Sequence, residues 1–129
     1  MRWGRIVLLA IALEAVLFAT LLPLIPRLGR PLLMSAIGAG CAIFGYVAGW
    51  LAARGLTSGA VLHGFLVGVL ATLIYLAINL TQPGGIMAAV AFYGLPLFVG
   101  LNGLRIVGCV VGAMVSQTPA SAPPAAHAR

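Results

Sequence analysis

The chain has 129 residues, 63% of them hydrophobic and 6% charged, and its formal charge of +6 comes from seven Arg set against a single Glu. A soluble domain carries about 25% charged residues. So few charges exclude a water-solvated surface and, with a mean hydropathy of +1.19, make lipid the main solvent. A membrane-crossing helix needs about 20 residues, so the length allows one domain of about four spans and no separate soluble catalytic domain.

The first span is expected at about 6–25, within RIVLLAIALEAVLFATLLPLI, and is closed by Pro23 and Pro26. Its start has the n-region and h-region of a signal peptide. The apolar run is too long for one, and no A-x-A site follows, so an uncleaved span is expected. The link 26–31 is short and holds Arg27 and Arg30. Span two is placed at 32–53, the tight turn RGLTSG at 54–59 and span three at 60–80. The run TQPGG at 81–85 is a turn. The apolar stretch 86–116 would be about 46 Å long at 1.5 Å per residue, too long for one straight span. Gly94 and Pro96 offer a break, giving a short interfacial helix at 86–93 and span four at 95–116 with Pro96 near its first turn. A competing placement ends span four at Leu104 and leaves Arg105 at the membrane surface. Residues 1–116 thus form an all-α, polytopic four-span domain. The Pro/Ala-rich tail 117–129, QTPASAPPAAHAR, is expected to be disordered.

Orientation follows from Arg placement. With both termini inside, the cytoplasmic side holds Arg2, Arg5, Arg54 and Arg129, and the outer side holds Arg27 and Arg30. The excess favours N-in, C-in. Trp3 and Trp50 then share the inner interface and Tyr93 marks the outer one, as in aromatic belts. The Arg are scattered at span ends rather than clustered, which speaks against nucleic acid as a partner. Exclusive use of Arg over Lys, with abundant Ala and Gly, points to a GC-rich bacterial genome and a bacterial cytoplasmic membrane.

Small residues recur every four positions in three spans: Cys41, Gly45, Gly49 and Ala53; Ala60, Gly64, Gly68 and Thr72; Gly108, Gly112 and Ser116. Four residues is close to one turn, so each series forms a groove along one helix face. Such grooves let backbones approach closely and drive helix association in lipid. They predict a compact bundle and serve equally for packing within one chain or between chains. Cys41 and Cys109 lie within spans and read as small buried thiols rather than a disulfide or metal set.

Glu14 is the only acidic residue and lies within span one, where an ionisable group is costly and marks a functional candidate. Arg105 falls near the middle of span four, on the face that carries Gly108 and Gly112. Counted from the inner ends of their spans, the two lie about 12 and 16 Å deep, close enough for two long side chains to meet. Either ion alone costs roughly 2.5–3.5 kcal/mol at mid-membrane, and pairing removes much of that cost. A Glu14–Arg105 interior ion pair is therefore expected, with a proton- or cation-exchanging Glu14 as the alternative. His63, near the inner end of span three, is expected at a helix contact and is a possible proton relay toward Glu14. Asn79 and Asn102 are expected to bond across helices, and Tyr46 and Tyr75 to face lipid or grooves. No enzyme constellation appears. There is no second carboxylate for acid–base work, no HExxH, no Ser/His/Asp set without an Asp, and no phosphate loop with a following Lys. No metal or cofactor is expected.

Two resemblances follow from quoted stretches. AIALEAV around Glu14, one Glu at mid-span in the first of four short spans, resembles the small multidrug resistance exporters. That resemblance implies a dimer in which Glu14 exchanges protons for lipophilic cations. It covers span one, and the family's third-span Trp-Ser-Gly pattern is replaced here by HGFLVGVLATLIYLAINL. The middle, GYVAGWLAARGLTSGAVLHGFLVGVL at 45–70, resembles small four-span bacterial membrane proteins of unknown function, with a Gly-rich second span, an Arg at its end and a His-Gly start to the third. It covers about half the chain and implies fold and location only. The expected function is a non-enzymatic integral membrane protein, a structural or accessory subunit of a larger membrane complex or a homo-oligomer. The alternative is a small proton-coupled exporter of lipophilic cations using Glu14.

Overall fold

A computed structural model describes residues 2–117 and is helical throughout its regular structure. Helix α1 spans Trp3–Leu21 and runs on into a single 3-10 turn at Leu22–Leu24, where Pro23 stands at the start of the turn. Helix α2 spans Arg30–Ala53, with Pro31 in its first turn, where the missing N–H costs nothing. Helix α3 spans Ala60–Leu80. The stretch that was too long for one span breaks where expected. Helix α4 covers Gly85–Tyr93 and α5 covers Leu95–Val115, with Gly94 alone between them. Gly94 has φ 81° and ψ 143°, a conformation that a Cβ would strain, so glycine allows one helix to follow another with no loop. The expected disorder of 117–129 concerns residues that, apart from Gln117, lie outside the described range.

Four of the helices, α1 with its 3-10 turn, α2, α3 and α5, are long and apolar enough to cross a membrane. The chain is a multi-pass membrane protein. Helix α5 is the hub, packed against both α2 and α3, while α1 leans on α2 and α3. Glycines set the closeness of the α5 contacts. A Cβ at Gly45 would lie 2.9 Å from the Arg105 carbonyl oxygen, and one at Gly108 would lie 2.9 Å from that of Ala42. Cβ atoms at Gly49 and Gly112 would overlap the carbonyls of Cys109 and Tyr46 outright. From α3, a Cβ at Gly68 would lie 2.7 Å from Ile106 Cα, and one at Gly64 would press on Cys109 and Ala113. Real side chains do not tolerate such approaches, so the α2–α5 and α3–α5 seams are backbone against backbone.

Both described ends of the chain gather at one end of the bundle. Arg5 reaches across to the last turn of α2, donating to the carbonyls of Leu51 and, at 2.9 Å, Arg54. The Arg2 N–H donates to His63 Nε2 (3.4 Å), and Gln117 Nε2 donates to the Leu56 carbonyl (3.0 Å). At the opposite end, Arg30 Nη2 donates to the carbonyl of Phe92 at the close of α4 (2.8 Å). Arg5 and Arg30 thus supply donors to helix C-termini whose carbonyls have no intrahelical partner.

Candidate functional site

Helix α5 runs without interruption through Arg105, the eleventh of its 21 residues, and Arg105 is 5% exposed. The helix does not end at Leu104. From α1, Glu14 (3% exposed) meets Arg105, with Nε of the guanidinium 3.2 Å from Oε1 of the carboxylate. The two charges lie at ion-pair distance, but the Nε–H does not point at the oxygen. Neither Glu14 oxygen receives an aligned hydrogen bond, and Arg105 Nε makes none. Arg105 is instead oriented by its own neighbours: Nη1 donates to Asn102 Oδ1 one turn earlier (3.3 Å), and the guanidinium carbon sits 4.9 Å from the centre of the Tyr75 ring. The ring's quadrupole attracts the cation, by about 2 kcal/mol or more where water is excluded.

A cavity of about 80 Å³ opens beside this pair. One water centre takes roughly 10–15 Å³, so the space holds several waters or the head of a small molecule. Glu14, Cys41, Tyr75, Tyr93 and Arg105 bring one titratable side chain from each of the five helices to its wall. Asn102 adds a second polar side chain from α5, and the rest of the wall is apolar and rich in aromatic rings. Phe18 stacks near Tyr75 (6.5 Å between centroids), and Phe98 stands 6.2 Å from Tyr75 and 6.4 Å from Tyr93. The mouth lies where α1 gives way to its 3-10 turn, between Leu22 and Ile25, both exposed.

His63 is elsewhere. Its Nδ1 is 2.9 Å from the Gly59 carbonyl, one turn back on its own helix, which makes Nδ1 the donor and Nε2 the acceptor from Arg2. Glu14 is twelve residues beyond Arg2, about 18 Å along the helix axis. The structure therefore seats His63 at the end of the bundle and does not bring it to the pair. Gly45, Gly49, Gly64, Gly68, Gly108 and Gly112 all lie in the seams around α5, and Gly45 and Gly108 bring α2 against the α5 backbone from Arg105 to Cys109.

One expectation needs correction. Asn79 and Asn102 do not bond across helices; each donates back to a carbonyl four residues earlier, Tyr75 and Phe98 respectively, at 2.8 Å. In an apolar interior the nearest free lone pair is on the same helix. Of the two tyrosines expected to face lipid or grooves, Tyr75 walls the cavity and Tyr46 is exposed. The aromatic wall was not read from the sequence, although helical spacing carries the signal. Phe18 is four residues after Glu14, and Asn102 and Phe98 are three and seven before Arg105, each on the face of its charged partner. Among the described residues no three His, Cys, Asp or Glu side chains converge. Comparison of the chain with models of protein families, with curated proteins and with solved structures finds no match.

Proposed function

We propose that this chain is a non-enzymatic integral membrane protein, a structural or accessory subunit of a larger membrane complex or a homo-oligomer, seated N-in, C-in in a bacterial cytoplasmic membrane. The observation that carries this reading is the placement of the chain's only acid against a guanidinium inside the bundle. The pair joins α1, the least tightly seamed span, to the α5 hub. Two further features support a partner. Gly100 and Gly103 lie on α5 with nothing within 4 Å of a would-be Cβ, leaving small residues that no helix of this chain covers. An apolar groove between α1 and α2, walled by Leu9, Val16, Phe44 and Val47, is open as well. The orientation rests on Arg2, Arg5 and Arg54 at the end that holds both described ends of the chain, against Arg27 and Arg30 at the other.

The alternative, a proton-coupled exporter of lipophilic cations, asks Glu14 to exchange its partner for a substrate cation. Arg105 is a fixed cation at 3.2 Å, and a guanidinium does not give up its proton in a protein. A substrate cation would therefore add a second positive charge to an apolar site.

Folded yield in mild detergent tests the reading. Glu14→Gln alone strands Arg105 and is expected to lower yield, at a cost of the order of 3–5 kcal/mol as for broken buried pairs in soluble proteins. Glu14→Gln with Arg105→Gln is expected to restore most of it. Equal stability of the single variant and the parent would remove the pair's structural role. Gly100→Leu is expected to leave the monomer folded and to weaken its association in crosslinking experiments on native membranes. Unchanged association would count against that face of α5 as the contact.

A further inference from the structure

The ion pair is incompletely bonded and faces a cavity, which is not how a sealed structural pair is built. Both Glu14 oxygens lack a hydrogen-bond donor although the residue is 3% exposed. Arg105, five N–H donors on one guanidinium, makes one aligned hydrogen bond, to Asn102. The unused donors and acceptors stand at the floor of a space that opens past Leu22 and Ile25 and is lined mainly by Leu17, Phe18, Tyr93 and Phe98. That is the shape of a site for a small polar head on an apolar body.

The sign of the head follows from charge balance. Without ligand the site holds one negative and one positive charge. A net charge left in an apolar interior is costly, so an ionic ligand is admitted only if a resident group neutralises. Arg105 cannot lose its proton, whereas Glu14 can gain one. The groups facing Glu14 from the other helices are Cys41 on α2, Tyr75 on α3, Tyr93 on α4 and Arg105 on α5; the thiol and phenols are uncharged near neutral pH, so none offers a different balance. We propose that the cavity binds the carboxylate of an apolar organic acid against Arg105, with Glu14 taking up one proton from solvent as the acid enters. The carboxylate replaces that of Glu14 as counter-ion. The neutral Glu14 then donates its new O–H to the ligand oxygen, so the loaded site again holds one charge of each sign. This goes beyond the structural reading and does not depend on it, since a folded protein can hold the site whether or not it serves a complex.

The test uses the purified full chain in phosphatidylcholine nanodiscs, titrated calorimetrically with benzoate and, as the matched cation, benzyltrimethylammonium. Repeating each titration in two buffers of different ionisation heat counts protons. Benzoate is expected to bind with uptake of about one proton. Because the bound state holds one proton more than the free state, affinity falls as pH rises, approaching tenfold per pH unit on the alkaline side. Glu14→Gln, a fixed neutral mimic, is expected to bind benzoate with no proton uptake and no pH slope, and Arg105→Gln to lose binding at least tenfold. If the variants fold poorly, the parent's proton count and pH slope decide alone. Preference for the cation, binding without proton uptake, unchanged affinity in Arg105→Gln, or no binding of benzoate would each overturn the proposal. Palmitate built into the nanodisc identifies the source of the acid. Displacement of benzoate by it supports the site as one for membrane fatty acid, and resistance to it with benzoate bound supports a water-borne weak acid.

Discussion

At the scale of single residues, glycines that look alike in sequence divide sharply by what surrounds them. Gly49 and Gly112 have a neighbouring carbonyl where a Cβ would stand, whereas Gly100 and Gly103 have open space. Gly49→Ala is therefore expected to push α2 off α5 and destabilise the bundle, by about 1–3 kcal/mol as in overpacked cores. Gly103→Ala is expected to be neutral or slightly stabilising, because alanine gives up less backbone freedom in a helix. Thermal unfolding of the two variants in the same detergent checks the contrast, and equal midpoints would contradict the seam as described. A periodic list of small residues cannot make this distinction, since spacing reports a face and not what lies opposite it.

At the scale of elements, the Arg near span ends do more than bias topology. Arg5 leaves α1 to hold the last turn of α2, and Arg30 leaves α2 to hold the end of α4. Arg5→Gln is expected to fray α2 near Leu51 to Arg54. Amide exchange there should speed up severalfold, corresponding to about 1 kcal/mol for hydrogen bonds lost at a helix end, with exchange in α3 unchanged. What could be read beforehand followed from one-dimensional constraints. Span length, the break at Gly94 with Pro96 in the next turn, and the matching depths of Glu14 and Arg105 are all set by rise per residue and the cost of polar groups in lipid. What could not be read needed the third dimension. The side chain of Asn102 turned back to its own helix because a carbonyl was nearer there, and Tyr75, Tyr93 and Phe98 joined one wall only because α3, α4 and α5 converge at that level.

At the scale of the whole molecule, an even number of spans places both described ends at one end of the bundle, and the contacts of Arg2, Arg5 and Gln117 hold them to the turn between α2 and α3. Cys41 and Cys109 are buried, at 1% and 0% exposure, so both native thiols should stay silent toward a membrane-impermeant maleimide. Single cysteines at Ser58, Gln82 and Gln117 then report orientation without removing them. With N-in, C-in, Gln82→Cys is expected to be labelled in intact cells, and Ser58→Cys and Gln117→Cys only after the membrane is opened. The reverse pattern would invert the assignment.

The hub position of α5 has a consequence for how the chain is made. The helix on which α2 and α3 close leaves the ribosome after the other four described helices, and the partner of Glu14 arrives with it. While the first three helices are being inserted, the acid sits in the bilayer with no counter-charge, and the glycine faces of α2 and α3 have nothing between them. A nascent chain stopped before Arg105 therefore exposes an unneutralised acid and two open grooves to lipid.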